Sequence, residues 1–274
     1  MSDNRFSNGI ARNFTQAAYP NLWRGLVGAF DARAGVQGFG LKNLAIGRGE
    51  FCELKRDLDL WEAHGYGIKG YIDLGTDSTH QVRMESKMTV APTDPLGLGG
   101  KNGTIMVRVR LDSIASFNGL VSKVDGNSSA NGYNFLLDGA APPKISLGMA
   151  GATSLSASSS TPVQEWFTAA AAWDGTTWRI YLNGALDNSA ARTNRPPSGN
   201  TTNFALGTLA HAISNDMLGL FQYAYLWNRC LRPSEIMQVH AGASPLIKKN
   251  EDDQYHSLPF ERPVPIDGMF FGAI

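Results

Sequence analysis

Residues 163–184 constrain the fold more than any other stretch. They run Val163-Gln164-Glu165-Trp166-Phe167-Thr168, then alanines from Ala169 to Ala172, then Trp173-Asp174-Gly175-Thr176-Thr177-Trp178, and close on Arg179-Ile180-Tyr181-Leu182-Asn183-Gly184. This pattern predicts two strands joined by a tight turn. Asp174-Gly175 is a dipeptide that supplies positive φ at a two-residue hairpin. Strand side chains alternate, so Trp178, Ile180 and Leu182 are expected on one face and Arg179, Tyr181 and Asn183 on the other. Asn183-Gly184 is a second turn signal. A chain built this way is a sandwich of antiparallel sheets.

The rest of the sequence agrees with an all-β reading. Of 274 residues, 43% are hydrophobic, enough for one large β domain. The 30 glycines, many in Asn-Gly and Asp-Gly joints, suit many short strands. Strands are expected at Leu22–Phe30, Glu50–Leu54, Tyr71–Gly75, Thr104–Leu111, Gly119–Val124, Tyr133–Gly139, Lys144–Gly148, Asn203–Gly207 and Leu218–Trp227. Residues from Asp31 to Gly70 read as mainly irregular, and Ser154–Thr161 as a serine-rich loop. One short helix is expected, started by Pro233, carried by Glu235–His240 and stopped by Gly242. Residues 1–22 and 245–274 read as arms; the second is punctuated by Pro259, Pro263 and Pro265, which bars it from a central strand.

Charge narrows the classes of partner. Lysine plus arginine and aspartate plus glutamate are 24 each, so no global field draws nucleic acid or an anionic membrane. No apolar run is long enough for a membrane span, and Met1–Phe6 lacks the apolar core of a signal peptide, which points to synthesis in a cytoplasm. Cys52 and Cys230 fit no metal or redox spacing; they read as two buried free thiols, with a disulfide as the lesser reading.

The order of motifs carries a family resemblance. Gly119-Leu120-Val121-Ser122-Lys123, Trp166 followed by Thr168-Ala169-Ala170, Trp178–Gly184, Phe204-Ala205-Leu206-Gly207 and Leu231–Ile236 occur in one order, with Arg24–Gly28 and Tyr71–Gly75 matching the usual first strands. Residues 23–244 thus resemble the laminin-G-like, concanavalin A-like jelly-roll family. The resemblance implies an antiparallel jelly-roll sandwich, here with extended N- and C-terminal arms. The arm leading into Pro20–Gly28 also resembles laminin-G-like proteins among tailed-phage structural genes.

Candidate chemistry is sparse. Asp57, Asp59 and Glu62 form an alternating acid series whose carboxylates lie about 7 Å apart on a strand, against the ~5–5.5 Å of a retaining glycosidase. The resembling family includes glucanases with an acid-x-acid-x-x-acid strand, but here the first acid is aspartate and the motif precedes the main strands. A polar loop packed by Leu58, Leu60 and Trp61 is the plainer reading. Some members of the family bind calcium, for which Asp125, Asp138 and Asp216, with Asn127 and Asn215, are the candidate oxygens; isolated Asp and Asn in turns ordinarily serve the turn. The histidines show no paired metal spacing, and no nucleophile or phosphate-loop motif is present. Trp23, Trp166, Trp173, Trp178 and Trp227 fall in expected strands and read as core, which leaves Trp61 as the candidate glycan-stacking residue.

These features predict a non-enzymatic virion structural protein of a tailed phage, decorating the capsid or tail with its sandwich outward. Phe6, Phe14, Phe260, Phe270 and Phe271 would seat the arms on other virion proteins or on copies of itself, as apolar anchors in pockets. A glycan-binding adhesion module is the alternative, and a glycoside hydrolase a remote third.

Overall fold

A computed structural model describes residues 17–33, 40–45, 51–56, 71–74, 82–86, 95–113, 117–124, 131–198, 203–209 and 216–246, with backbone alone for Gly40, 51–56, Asp73 and 82–86. Two antiparallel sheets face each other. One has seven strands: β1 (Leu26–Asp31), β4 (Ile72–Asp73), β6 (Gly103–Leu111), β11 (Trp166–Trp173), β12 (Thr177–Leu182), β13 (Ala185–Ala191) and β15 (Gly219–Trp227). Their order is β1-β15-β6-β11-β12-β13, with β4 also on β15. The other has eight: β2 (Gly40–Lys42), β3 (Phe51–Arg56), β5 (Val82–Ser86), β7 (Gly119–Lys123), β8 (Tyr133–Leu137), β9 (Ile145–Met149), β10 (Leu155–Ser156) and β14 (Ala205–Leu206), in the order β10-β9-β8-β7-β14-β5-β3-β2. The jelly-roll sandwich expected from the sequence is therefore present.

The hairpin at 163–184 shows how the pattern builds the layers. Trp178 and Ile180 are fully buried between the sheets with Phe135, Leu147 and Phe167, and Leu182 packs on the same cluster. Tyr181 joins a second apolar cluster on the outer face of the seven-stranded sheet. The turn differs from expectation. The last strand pair is Trp173 with Trp178, so the chain reverses over Asp174–Thr177 rather than over Asp174-Gly175 alone. The reason is the Asp174 carboxylate, whose Oδ1 accepts from the Thr176 and Thr177 N–H groups at 2.9 Å each and from the Thr176 hydroxyl at 2.7 Å. The two-residue hairpin lies one turn later. Leu182 pairs with Ala185, and both Asn183 (φ 49) and Gly184 (φ 81) are left-handed, as that turn demands.

The outer face is closed by chain from both ends. Pro20 starts a short helix, α1 (Pro20–Trp23), where the sequence reading placed a strand; Gly25, at φ 77, then turns the chain into β1. Helix α2 (Pro233–His240) forms where expected and ends before Gly242, at φ 105. Leu22, Trp23, Ile236 and Val239 pack with Tyr223, Tyr225 and Trp227 of β15. Arg229 fixes the two helices together: it pairs with Glu235 at 2.8 Å and donates to the Asn21 and Arg24 carbonyls. Strands β2, β5, β10 and β13 fall where no strand was expected, and β3 lies where one was.

Candidate functional site

The outer face of the seven-stranded sheet changes character partway along β15. A register shift sits between Phe221 and Tyr223, making Gln222 an extra residue in the ladder. The slip resets the alternation. Phe221, Ala224 and Leu226 point between the sheets, while Tyr223, Tyr225 and Trp227 point outward into the helix-covered cluster. The bulge also marks the point where the β15 edge changes partner: β4 pairs with Leu220 and Phe221, and β1 with Tyr223 onward.

Around the bulge lies a half-buried surface of aromatic and guanidinium groups. Its registers are Asp31–Tyr223–Arg108–Thr168 and Leu220–Arg110–Trp166 across neighbouring strands. Strand β6 supplies both arginines because Val107, Val109 and Leu111 take the core-facing positions. The Tyr71 and Trp166 rings are 5.9 Å apart and tilted, and the Arg108 guanidinium sits 5.7 Å from the Trp166 ring centroid. Arg33 lies 5.3 Å over Tyr223, which stacks on Tyr225 at 4.6 Å. Gln222 Oε1 and Arg110 Nε are buried here without a hydrogen-bond partner. Such atoms are costly to bury unless something outside the protein completes them.

The charges are held in place. Burial would raise the Asp31 carboxyl, but the Arg33 charge and hydrogen bonds from Arg33 and Tyr225 outweigh it and hold the group below the usual carboxylate range. Arg33 meets Asp31 with Nε at 2.9 Å and Nη2 at 2.7 Å. Tyr225 donates to Asp31 Oδ2 and contacts the Ser244 hydroxyl at 2.9 Å. Burial pushes the Tyr223 phenol up to about 12, against the opposing charges of Arg33 and Arg108. Burial and the Arg33 charge lower Arg108. Asp112 is paired with Arg110 at 2.8 Å. His240 of α2 meets the Thr168 hydroxyl through Nδ1 at 2.8 Å, and burial and Arg108 keep its pKa low. Asp31 and Asp112 are thus each held by an arginine, Asp31 by Arg33 and Asp112 by Arg110. The surface offers aromatic faces for stacking and guanidinium groups for hydrogen bonding.

The sequence candidates fall elsewhere. Trp61, Asp57, Asp59, Glu62, Asp125, Asn127, Asn215, Phe6, Phe14, Phe260, Phe270 and Phe271 lie outside the described residues. Asp138 serves its turn, accepting the Ala140 and Lys144 N–H groups at 3.2 and 2.9 Å. Asp216 is buried, and its carbonyl accepts from the Asn118 side chain. Among the described residues no group of three or more His, Cys, Asp or Glu could hold a metal ion, and no helix is long and apolar enough to cross a membrane. Cys230 is a half-buried free thiol. Trp23, Trp173, Trp178 and Trp227 are buried as expected, whereas Trp166, read as core, is only half-buried. Its alternation with Phe167, Ala169 and Ala171 sends it outward, and that phase was readable in the sequence.

Known structures share this architecture. Domain 4 of a GH43 extracellular arabinanase from Geobacillus stearothermophilus, in complex with arabinotriose, aligns at a TM-score of 0.50 and 13% identity, over 78% of this chain and 98% of that one. The binding domain of botulinum neurotoxin DC in complex with SialylT aligns at 0.57 and 11%, over 81% and 52%. A Trypanosoma rangeli sialidase aligns at 0.53 and 14%, over 79% and 32%. The chain thus spans about half of the toxin domain and a third of the sialidase. No curated protein matches in sequence. These likenesses show the fold. Residues 83–237, more than half of the chain, match the family model described as the concanavalin A-like lectin/glucanases superfamily, and the chain belongs to that family.

Proposed function

We propose that the chain is a non-enzymatic carbohydrate-binding module and that its ligand lies on the surface at the β15 bulge. The observation that carries this reading is the combination of the Tyr71–Trp166–Arg108 stack with the uncompleted Gln222 Oε1 and Arg110 Nε. A sugar ring offers an apolar face for the aromatics and adjacent hydroxyls that both donate and accept, which is the complement of this pair. Solved structures of the same fold include an arabinanase domain in complex with arabinotriose and a toxin binding domain in complex with SialylT, which supports the reading. A glycan array probed with the wild-type chain and with Trp166→Ala tests it. Trp166 is half-buried on the surface, so the variant should fold and should bind its best glycan about tenfold or more weakly. Equal array profiles for the two chains would refute the site.

A virion role is the second reading, and one observation favours it. Ala17 and Leu246, at the two ends of the described chain, belong to one cluster on the outer face of the seven-stranded sheet. The first and last described residues therefore lie on the same side of the sandwich, as an anchor would require. Removing residues 1–16 and 247–274 should abolish incorporation into particles while leaving a folded sandwich; retained incorporation would dismiss the anchor.

A further inference from the structure

The last turn of α2 is seated on the seven-stranded sheet by a titratable side chain. His240 meets the Thr168 hydroxyl through Nδ1 at 2.8 Å, and Thr168 is buried on β11. The contact draws on three elements. Thr168 donates its N–H to Asn183 Oδ1 at 3.0 Å, and its carbonyl accepts the Asn183 N–H at 2.8 Å, which ties β11 to the turn between β12 and β13. Gly184 completes that turn. A Cβ there would stand 3.0 Å from His240 Cβ and 3.1 Å from Cδ2, so the missing side chain lets the histidine lie against the turn. Across the ladder Thr168 is the register partner of Arg108, which places the imidazole and the guanidinium on one outer face beside the bulge surface.

The two ends of α2 are held differently. Its first turn is fixed by the Arg229–Glu235 pair at 2.8 Å and by the Arg232 N–H, which donates to Glu235 at 2.9 Å. Its last turn meets β11 through His240 and Thr168. With its proton on Nε2 the neutral ring accepts the Thr168 hydroxyl at Nδ1; a protonated ring has no acceptor, so the hydroxyl must turn round and the new charge is borne where it stands. Little there compensates it. Strands β12 and β15 bring Tyr181 and Tyr223 into the cluster under α2, both phenols kept neutral by burial. Arg179 on β12 is paired with Asp174, and Glu235 on α2 with Arg229. Strand β6 presents Arg108, a like charge. A helix C-terminus favours an imidazolium, but burial and Arg108 outweigh it and keep the ring's pKa below its ordinary value. We infer that His240 is an acid-sensitive latch: when neutral it holds the last turn of α2 on β11 beside Arg108, and on protonation that turn lifts from the sheet. With the latch open, the histidine titrates at its ordinary value of about 6.5, so the closed form holds its full advantage above that pH and loses it as pH falls below. The latch stands on these contacts and does not need the carbohydrate-binding reading.

Hydrogen exchange of the full chain at about pH 7.5 and about pH 5.5 tests it, read by mass spectrometry over residues 236–246 and corrected for the intrinsic chemical rate. Wild type should lose about threefold or more of its protection there on acidification, while β6 and β11 keep theirs. His240→Asn keeps an acceptor near the Nδ1 position and does not titrate, so its protection should be the same at both pH values. Arg108→Gln removes the like charge, so its acid loss should shrink. Proton NMR gives a second measure. The assigned His240 Hε1 resonance should titrate below about 6.5 in wild type and move up in Arg108→Gln. A His240 that titrates at or above that value in wild type overturns the latch. So does protection that acid leaves within about twofold, or an acid loss that His240→Asn retains in full. A midpoint that Arg108→Gln leaves unmoved also overturns it, because the repulsion that opens the latch is then absent. Should His240→Asn fail to fold, the wild-type and Arg108→Gln titrations decide alone. Neither readout uses a ligand, so failure here leaves the Trp166→Ala array result to judge the bulge surface.

Discussion

Tyr225→Phe is the sharpest test of how the outer face is held. Tyr225 is fully buried, and its hydroxyl joins Asp31 to Ser244. Asp31 is 2% exposed and charged, so the hydroxyl donates to a buried carboxylate rather than to a neutral acceptor. Hydrogen bonds to charged groups are worth about 1.5–3 kcal/mol, and loss of one leaves Asp31 with Arg33 alone. We expect a loss of about 2 kcal/mol, which at an m-value of roughly 3 kcal/mol/M moves the urea midpoint down by about 0.7 M. The pH dependence follows from the same group. Asp31 has a folded pKa below its unfolded value of about 3.9. Its contribution is therefore full above that value and is lost as pH falls through the folded pKa. Tyr225 stabilises the ionised form, so its removal should raise the folded pKa and begin acid unfolding at higher pH. Urea titrations followed by circular dichroism at pH 7 and along an acid series measure both effects. An unchanged midpoint at pH 7 together with an unchanged acid limb would refute the reasoning, since a buried carboxylate cannot lose a donor without cost.

Two further substitutions probe the sandwich. Gly103→Ala places a Cβ into the Trp173 ring, which is fully buried, so the core must shift; we expect a cost of about 1–3 kcal/mol in thermal or urea melts. Gly184→Ala combines a φ of 81 with a Cβ 2.9 Å from Met237 Sδ, and should destabilise the β12–β13 hairpin by about 1–2 kcal/mol, read from the same melts.

What the sequence could tell divides along physical lines. Strands with a buried and a solvent face were legible, because alternation is local: Thr104–Leu111, Tyr133–Leu137 and Thr177–Leu182 all lie where period two placed them. Helix α2 was legible from Pro233 and Gly242. Strand β13 was missed because Ala-Leu-Asp-Asn-Ser-Ala-Ala is an exposed edge with little apolar alternation; its pairing with β12 and the turn at Asn183-Gly184 hold it in place. The Asp174 turn was misjudged because the dipeptide was read without the reach of its own carboxylate to Thr176 and Thr177.

The bulge site was illegible for a different reason. Residues Leu218–Trp227 read as one continuous apolar strand, and nothing local marks Gln222 as the residue that slips. The slip is forced from outside. Phe221 is buried between the sheets with Val109 and Phe167, while Tyr223, Tyr225 and Trp227 are wanted outside by α1, α2 and Asp31. A single alternation cannot satisfy both demands, because Phe221 and Tyr223 would then share a face. One inserted residue resolves the conflict. The cost falls on Gln222, whose Oε1 is left without a hydrogen-bond partner, at the position where β4 gives way to β1. The packing of the two faces thus creates the irregularity, and the irregularity gathers Tyr71, Arg108, Arg110 and Trp166 around it. Deleting Gln222 should therefore do more than remove one amide. It should throw either Phe221 or the tyrosines onto the wrong face, and a Gln222 deletion that still folds and still binds the wild-type glycan would show that the bulge has no part in the site.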